Sequence, residues 1–227
     1  MPGRSRLRRV CVVLGATVSI AAGCSDDRGF DVLSPGAVID GGDDAISLLG
    51  EYWRGMLELP SEQTVIADPG ECDMGLSGEA AYFAPTLSGS DETAAMCSAP
   101  EGAVIVVLPA SVVCVEEGID KADVACLESM WNLTSSSVVV DGRPEAELTQ
   151  FEVDSEEFVV RLGEANLVGL RPGVHQAIAR GQVVMLEGLA RGRHVIELSA
   201  RFADGGNDGT LTIELEVVTS TEGGLGD

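Results

Sequence analysis

Lysine is almost missing from this chain. Lys121 is the single one in 227 residues, and 14 Lys and Arg face 37 Asp and Glu, a formal net charge of −23. A surface so poor in positive charge repels phosphate, which argues against nucleic acid as a partner and against electrostatic attachment to anionic lipid head groups. Aromatic side chains are scarce too: two Trp, two Tyr and five Phe make up 4% of the residues. Glycan binding draws on ring faces for stacking, and most of these rings fall on expected core faces, leaving few to spare. Histidine is limited to His175 and His194. No G-x-S-x-G, H-E-x-x-H, phosphate-loop or dinucleotide fingerprint occurs, so no cofactor is expected. No run is long enough to span a bilayer. The most apolar stretch, 10 to 23, "VCVVLGATVSIAAG", falls short of the roughly 20 helical residues that a span needs.

What is there begins with that stretch. The preceding "MPGRSRLRR" carries four arginines and no acid; a basic start, a short apolar run and small residues together describe an export signal. Ala21-Ala22-Gly23-Cys24 resembles the bacterial lipobox, in which the cysteine becomes the acylated (palmitate-bearing) first residue of the mature protein. Ala21 departs from the Leu usual there, and plain secretion with Cys24 unmodified is the alternative. Arg8-Arg9 raises twin-arginine export, although Val10-Cys11 follow where that signal has a polar residue and then Phe-Leu. The expected organisation is a lipoprotein signal peptide over 1–23, a flexible tether over 24–43, a single β-rich domain over 44–218 and a disordered tail over 219–227. Removing 1–23 takes away 4 of the 14 basic residues and no acid, so 37 acids face 10 bases, a charge of −27. Attachment to the cell membrane, on its extracytoplasmic face, would then rest on the lipid. The Asp-, Gly- and Ser-rich tether would span roughly 25 Å root-mean-square.

Six cysteines less Cys11 and Cys24 leave Cys72, Cys97, Cys114 and Cys126. An even number outside the cytoplasm implies two disulfides, with three possible pairings. There is no C-x-x-C and both histidines lie far downstream, so zinc ligation is not indicated. Sequential pairing, Cys72–Cys97 and Cys114–Cys126, is favoured; each short loop so closed would contribute about 3 kcal/mol.

In "DDAISLLGEYWRGMLEL" the residues Leu48, Leu49, Tyr52, Trp53, Met56 and Leu57 recur at helical spacing, with Asp43 or Asp44 to cap the start and Pro60 to stop the helix. Tyr52 and Trp53 are read as core rather than as a binding pair. A second helix is expected from Asp120, its cap, to Trp131, with Val124, Leu127 and Trp131 on one face and Cys126 stapling it to a sheet. The remainder reads as short strands: "AAYFAP", "AVIVVLP", a hairpin around Asp141-Gly142, "EEFVVRL", "VHQAIAR", "QVVMLEG", "RHVIELSARF" and "GTLTIELEVV". In the first of the last pair the alternation of Val195, Leu198 and Ala200 is broken by one slip. Leu211, Ile213, Leu215 and Val217 alternate without one. No internal repeat is found. The expectation is a mainly β (α+β) domain, an antiparallel β-sandwich, Ig-like or jelly-roll-like, with one N-terminal helix and one disulfide-stapled helix.

The ordered set "EYWRGMLELP", "GECDMGLSGEAAYFAP", "MCSAPEGAVIVVLPASVVC", "VVVDGRPEAELTQFEVDSEEFVVRL" and "GVHQAIARGQVVMLEGLARGRHVIEL" resembles a family of uncharacterised bacterial secreted proteins and lipoproteins. That family has a YWRW-like helix, a C-x-x-P-x-G step, a V-D-G hairpin and a P-G-x-H-x-I strand. The likeness spans Glu51 to Leu198. Gly55 stands where a second Trp often falls, Tyr82-Phe83 replaces Trp-Phe, and Arg191-Gly192 replaces Pro-Gly. The resemblance implies the fold and the cysteine pairing, and carries no activity.

Candidate chemistry is thin. A serine triad would take its base from His175 or His194, with no positioned nucleophile in view; His194 follows a turn, where hydrogen bonding across a hairpin is the commoner role. Glu116-Glu117 and Glu156-Glu157 are adjacent carboxylates, but neighbours on a strand point to opposite faces and do not converge. Asp204, Asn207 and Asp208 in "ADGGNDGT" offer oxygen ligands for Ca²⁺, yet without the alternating order and closing glutamate of a calcium loop, and a hairpin turn is preferred. Asn132-Leu133-Thr134 forms a glycosylation sequon that a bacterial lipoprotein would not use. The sequence thus favours a binding or envelope-structural module with an envelope or extracellular ligand over two rivals, an extracytoplasmic hydrolase with a carboxylate or histidine site and a Ca²⁺-dependent adhesion module. No metal is assigned.

Overall fold

A computed structural model describes residues 10–14, 37–39, 42–64, 71–72, 81–83, 92–118, 122–144, 148–203 and 208–219. In chain order the elements are β1 (Val10–Leu14), β2 (Ala37–Ile39), α1 (Gly42–Glu58), β3 (Glu71–Cys72), β4 (Ala81–Phe83), β5 (Glu92–Pro100), β6 (Val104–Val107), β7 (Ser111–Glu116), α2 (Val124–Met130), β8 (Leu133–Val140), β9 (Arg143–Pro144), β10 (Glu152–Asp154), β11 (Phe158–Leu162), β12 (Gly173–Gln182), β13 (Val184–Glu187), β14 (Gly192–Phe202) and β15 (Gly209–Val218). Two 3-10 turns, Ser61–Gln63 and Leu148–Phe151, complete the list. The chain is mainly β, with several antiparallel sheets packed together and two α-helices among the described residues.

The apolar stripe of α1 meets its expectation. Leu49, Tyr52, Trp53, Met56 and Leu57 are buried, and Tyr52 meets Trp53 edge-to-face at 5.6 Å; the helix begins at Gly42, so Asp43 and Asp44, the expected caps, lie inside its first turn. This face packs on the inner side of a five-stranded sheet ordered β1-β7-β12-β10, with β11 also on β12. Gly181 permits the closest approach: a Cβ there would lie 2.9 Å from Ser111 Cβ and 3.1 Å from Leu49 Cδ1. Gly55 faces open space at the surface of α1.

β12 carries β11 and β10 end to end on one edge, Phe158 opposite Ala177 and Asp154 opposite Arg180. Buried Ser155 bridges the break: its amide donates to the Ala179 carbonyl at 2.8 Å, and its Oγ accepts the Ala179 amide at 2.9 Å. Arg180 clamps β10 through a bidentate pair with Asp154, Nη2 to Oδ2 at 2.7 Å. The hydrogen bonds to Asp154 raise the Arg180 pKa above its ordinary value, against the opposing pull of partial burial.

A second core lies between the small sheet β2-β13-β6-β4 and the six-stranded sheet β3-β5-β15-β14-β8-β9. Here β14 corrects the expected slip. His194, Ile196, Leu198, Ala200 and Phe202 all point inward without a break and Val195 points out, because a histidine takes the first inward position. β15 alternates as expected. It runs parallel to β5, and β3 and β4 pair parallel with β5 and β6. The Asp141-Gly142 turn forms, with Asp141 at φ 51° and Gly142 at φ 73°. Its second strand, however, is only Arg143–Pro144, and the chain then crosses to the first sheet as β10.

α2 is shorter than expected. It starts at Val124, capped by Asp123, whose side chain accepts the Ala125 amide; Asp120, the expected cap, lies outside the described residues. Val124 is exposed while Cys126 and Leu127 are buried, and Trp131 is the C-cap. Cys126 is bonded to Cys114 of β7, so the staple between helix and sheet is present, with Met130 Sδ 3.8 Å and 3.9 Å from the two sulfurs.

Two segments fall inside spans given other roles above. Val10–Leu14, within the expected leader, lies antiparallel along β7 in the uncleaved chain. Ala37–Ile39, within the expected tether, pairs with β13, so an ordered strand sits inside the 24–43 span. Cys24 and Lys121 lie outside the described residues, as does the expected tail except Thr219.

Candidate binding cleft

A cleft of about 400 Å³ opens where the two larger sheets diverge, on the α2 side of the first. Its floor and walls come from four places. Trp131 ends α2, donating its amide to the Leu127 carbonyl at 2.8 Å and meeting Phe202 edge-to-face at 6.3 Å. Leu133 to Ser137 form the start of β8. Leu148 and Thr149 belong to the second 3-10 turn, and Glu152 faces Gln182 in the β10–β12 register. The size lies in the range of small-ligand sites, roughly 300–1,000 Å³.

The start of β8 is open on the cleft side because β9 covers only Val139 and Val140. The Asp141 amide bonds the Val195 carbonyl. Alternation in an antiparallel ladder then turns the Val139 and Ser137 backbone groups to β14 and those of Ser136 and Val138 to the opposite edge of β8.

The polar side chains divide into two sets. Thr134 Oγ1 donates to the Arg201 carbonyl at 2.9 Å and Ser137 Oγ lies 2.6 Å from Ser199 Oγ, so these serve the fold. Ser135, Ser136, Thr149, Glu152 and Gln182 make no side-chain hydrogen bond among the described residues. Gln182 is the telling one: it is 1% exposed, and its Oε1 is buried without a partner. An unpaired buried acceptor costs about 1–3 kcal/mol unless a donor reaches it. Glu152 is the one charged residue of the lining among the described residues.

The residues singled out in sequence are scattered. His175 is buried on β12: Nδ1 accepts the Gly118 amide at 3.2 Å, and Nε2 donates to the Arg171 carbonyl at 2.8 Å. His194 is buried on β14, with Nδ1 2.8 Å from Asp141 Oδ2 and Nε2 2.7 Å from the Ala190 carbonyl. Asp141 Oδ1 also accepts the Val195 amide at 2.9 Å. Both rings are spent on the fold at both nitrogens, and they sit on different sheets. Neither presents a free nitrogen to a substrate.

Glu116 is buried while Glu117 reaches Arg171 at 3.7 Å; Glu157 meets Gln176 at 3.5 Å and Glu156 is exposed. These carboxylates do not converge. Asp208 Oδ1 accepts the Phe202 amide at 2.9 Å across the β14–β15 hairpin; Asp204 and Asn207 lie outside the described residues. Asn132 of the sequon is half-buried, and its Oδ1 is buried without a partner among the described residues. Cys97 is disulfide-bonded, and the backbone of Cys72 lies directly opposite it in parallel register.

The two histidines expose a repeat that sequence reading missed. Leu167-Val168-Gly169-Leu170-Arg171-Pro172-Gly173-Val174-His175 and Leu186-Glu187-Gly188-Leu189-Ala190-Arg191-Gly192-Arg193-His194 share L-x-G-L-x-x-G-x-H. In each, the first glycine has a positive φ (63° and 70°), the leucine is buried, and His Nε2 bonds the carbonyl four residues back. The same corner is built twice, once at the start of β12 and once at the start of β14.

A shallower hollow of about 320 Å³ lies over β5, β15 and β14 beside exposed Met96, and no buried unpartnered polar atom lines it among the described residues. No family model and no curated protein matches the chain. A chain from the structure titled "Structure of PbICP-C in complex with falcipain-2" is similar at 12% identity, covering 63% of this chain and 100% of that one, with a TM-score of 0.25. A likeness that low carries no argument about fold or function.

Proposed function

We propose that the protein is a lipid-anchored extracytoplasmic binding module. In this reading acylated Cys24 holds it to the cell membrane, the residues that follow space the domain from the bilayer, and the cleft between Trp131 and Gln182 takes an envelope or extracellular ligand. One observation carries the binding part: among the described residues five polar side chains of the cleft make no hydrogen bond, and one of them, Gln182, keeps its acceptor buried and unpaired. Folding does not account for that arrangement, since Leu at 182 would remove the penalty. A ligand donor would account for it once the Gln182 side chain turns toward the cleft that it lines. The histidines support binding over hydrolysis, because both rings are already held at both nitrogens.

The test has two parts. The intact mass of the exported protein should correspond to a chain that begins at an acylated Cys24, and a start elsewhere without acyl mass contradicts the anchor. Surface plasmon resonance on the immobilised exported protein should show retention of material from a solubilised envelope fraction, and Thr149→Val should cut that retention severalfold. Equal retention by the variant would remove the cleft from the binding surface.

A further inference from the structure

Resting on that reading, we infer that the ligand of the cleft is an uncharged glycan segment two to three rings long. Three features point to this chemistry. Ser135, Ser136 and Thr149 present short hydroxyls that make no hydrogen bond among the described residues. A hydroxyl donates and accepts equally, as a sugar hydroxyl does, and so matches a partner without fixed polarity or charge. Trp131 is half-buried at the cleft wall, its ring orientation set by Phe202 at 82°; an indole held in place is a stacking platform for the apolar face of a sugar ring. Gln182 offers a buried acceptor and Glu152 an acceptor at the mouth, a pair that receives hydroxyl protons.

Among the described residues no basic side chain lines the cleft, and the chain is strongly acidic, so a uronate-bearing or phosphorylated glycan meets repulsion without compensation. An extended peptide on the open β8 edge would use the Ser136 and Val138 backbone groups. It would leave Gln182 and the hydroxyls unmatched, because a strand added to an edge takes its affinity from main-chain hydrogen bonds and from pockets for alternate side chains. The aromatic scarcity noted in the sequence does not oppose sugar binding, since one ring suffices for a short segment, and Trp131 is half-exposed at the cleft wall although it packs against the core of Cys126, Leu127 and Phe202.

The two tryptophans make the test specific. Trp53 is fully buried and Trp131 is half-buried, so acrylamide quenching of the exported full chain reports on Trp131. The probes are maltotriose, cellotriose and tri-N-acetylchitotriose, with trigalacturonate and a Val-Thr hexapeptide as comparators. At least one neutral trisaccharide should protect the fluorescence, at least tenfold more tightly than either comparator. Thr149→Val, an exposed substitution that leaves the packing intact, should weaken that probe about fivefold; Trp131→Ala should abolish its saturation-transfer NMR signal if the variant keeps the wild-type circular dichroism. The glycan proposal is overturned if all three neutral probes fail, or if trigalacturonate or the hexapeptide protects Trp131 better. If they fail while Thr149→Val still cuts envelope retention, the binding reading stands and the ligand is of another class. If retention is also indifferent to Thr149, both readings fall.

Discussion

Replacing Ser155 with Ala tests how β10 and β11 are held on β12. Ser155 sits between β10 and β11, and its Oγ accepts the Ala179 amide at 2.9 Å while its own amide donates to the Ala179 carbonyl at 2.8 Å. Alanine keeps the second bond and removes the first. The Ala179 amide is then buried without a partner, at a cost of about 1–3 kcal/mol. The missing oxygen leaves little void, so the hydrogen bond dominates. Taking about 2 kcal/mol, and roughly 2–4 °C per kcal/mol for a domain of this size, the thermal midpoint should fall by about 4–8 °C. Urea unfolding should show a lower midpoint at unchanged slope, since the exposed surface is the same. Hydrogen exchange at the Ala179 amide should accelerate by more than the global loss of stability explains. A loss under about 0.5 kcal/mol, or unaltered exchange at Ala179, would refute the idea that Ser155 carries the ladder across the break.

Gly181→Ala should destabilise the fold by about 1–3 kcal/mol in urea titration, because a Cβ there would meet Ser111 at 2.9 Å and the Ala110 carbonyl at 3.1 Å. Gly55→Ala, on an exposed turn of α1 with open space around it, should stabilise by about 0.5–1 kcal/mol; a loss there would contradict the position of that helix face. Non-reducing peptide mapping should find Cys114 with Cys126 and Cys72 with Cys97, and a Cys72–Cys114 linkage would refute the sequential pairing. Millimolar Ca²⁺ should move the thermal midpoint no more than Mg²⁺ does. A Ca²⁺-specific rise abolished by Asp208→Ala would restore the adhesion reading, since saturation at 100 times the dissociation constant adds about 2.7 kcal/mol.

Much of the scaffold was legible in the sequence because its signals are local. The apolar stripe of α1, the unbroken alternation of Leu211 to Val217 and the Asp141-Gly142 turn each depend on residues a few positions apart. β14 was misphased because His194 holds an inward position that pattern reading reserves for apolar residues, and Asp141 of the turn after β8 together with the Ala190 carbonyl makes that burial tolerable. The twin L-x-G-L-x-x-G-x-H corner was available as a nineteen-residue offset, but its glycines read as ordinary turns until the positive φ values and the paired carbonyl bonds showed one geometry. The cleft was not legible. It joins the end of α2, the open start of β8, a 3-10 turn and the end of β12, and no local period announces that residues 131 and 182 meet. Trp131 packs against the core that holds Leu127, as helical spacing expects, but the helix ends at it and leaves the ring half-exposed.

The central claim, that the orphaned amide of Gln182 belongs to a ligand and not to the fold, is tested most directly by the thermal midpoint of Gln182→Leu with and without the solubilised envelope fraction. Removing the unpaired acceptor should leave the unliganded variant as stable as the wild type or more so. Ligand should raise the wild-type midpoint by mass action and leave that of the variant unmoved. A variant that starts lower than the wild type, or that gains as much from the envelope fraction, would contradict the account.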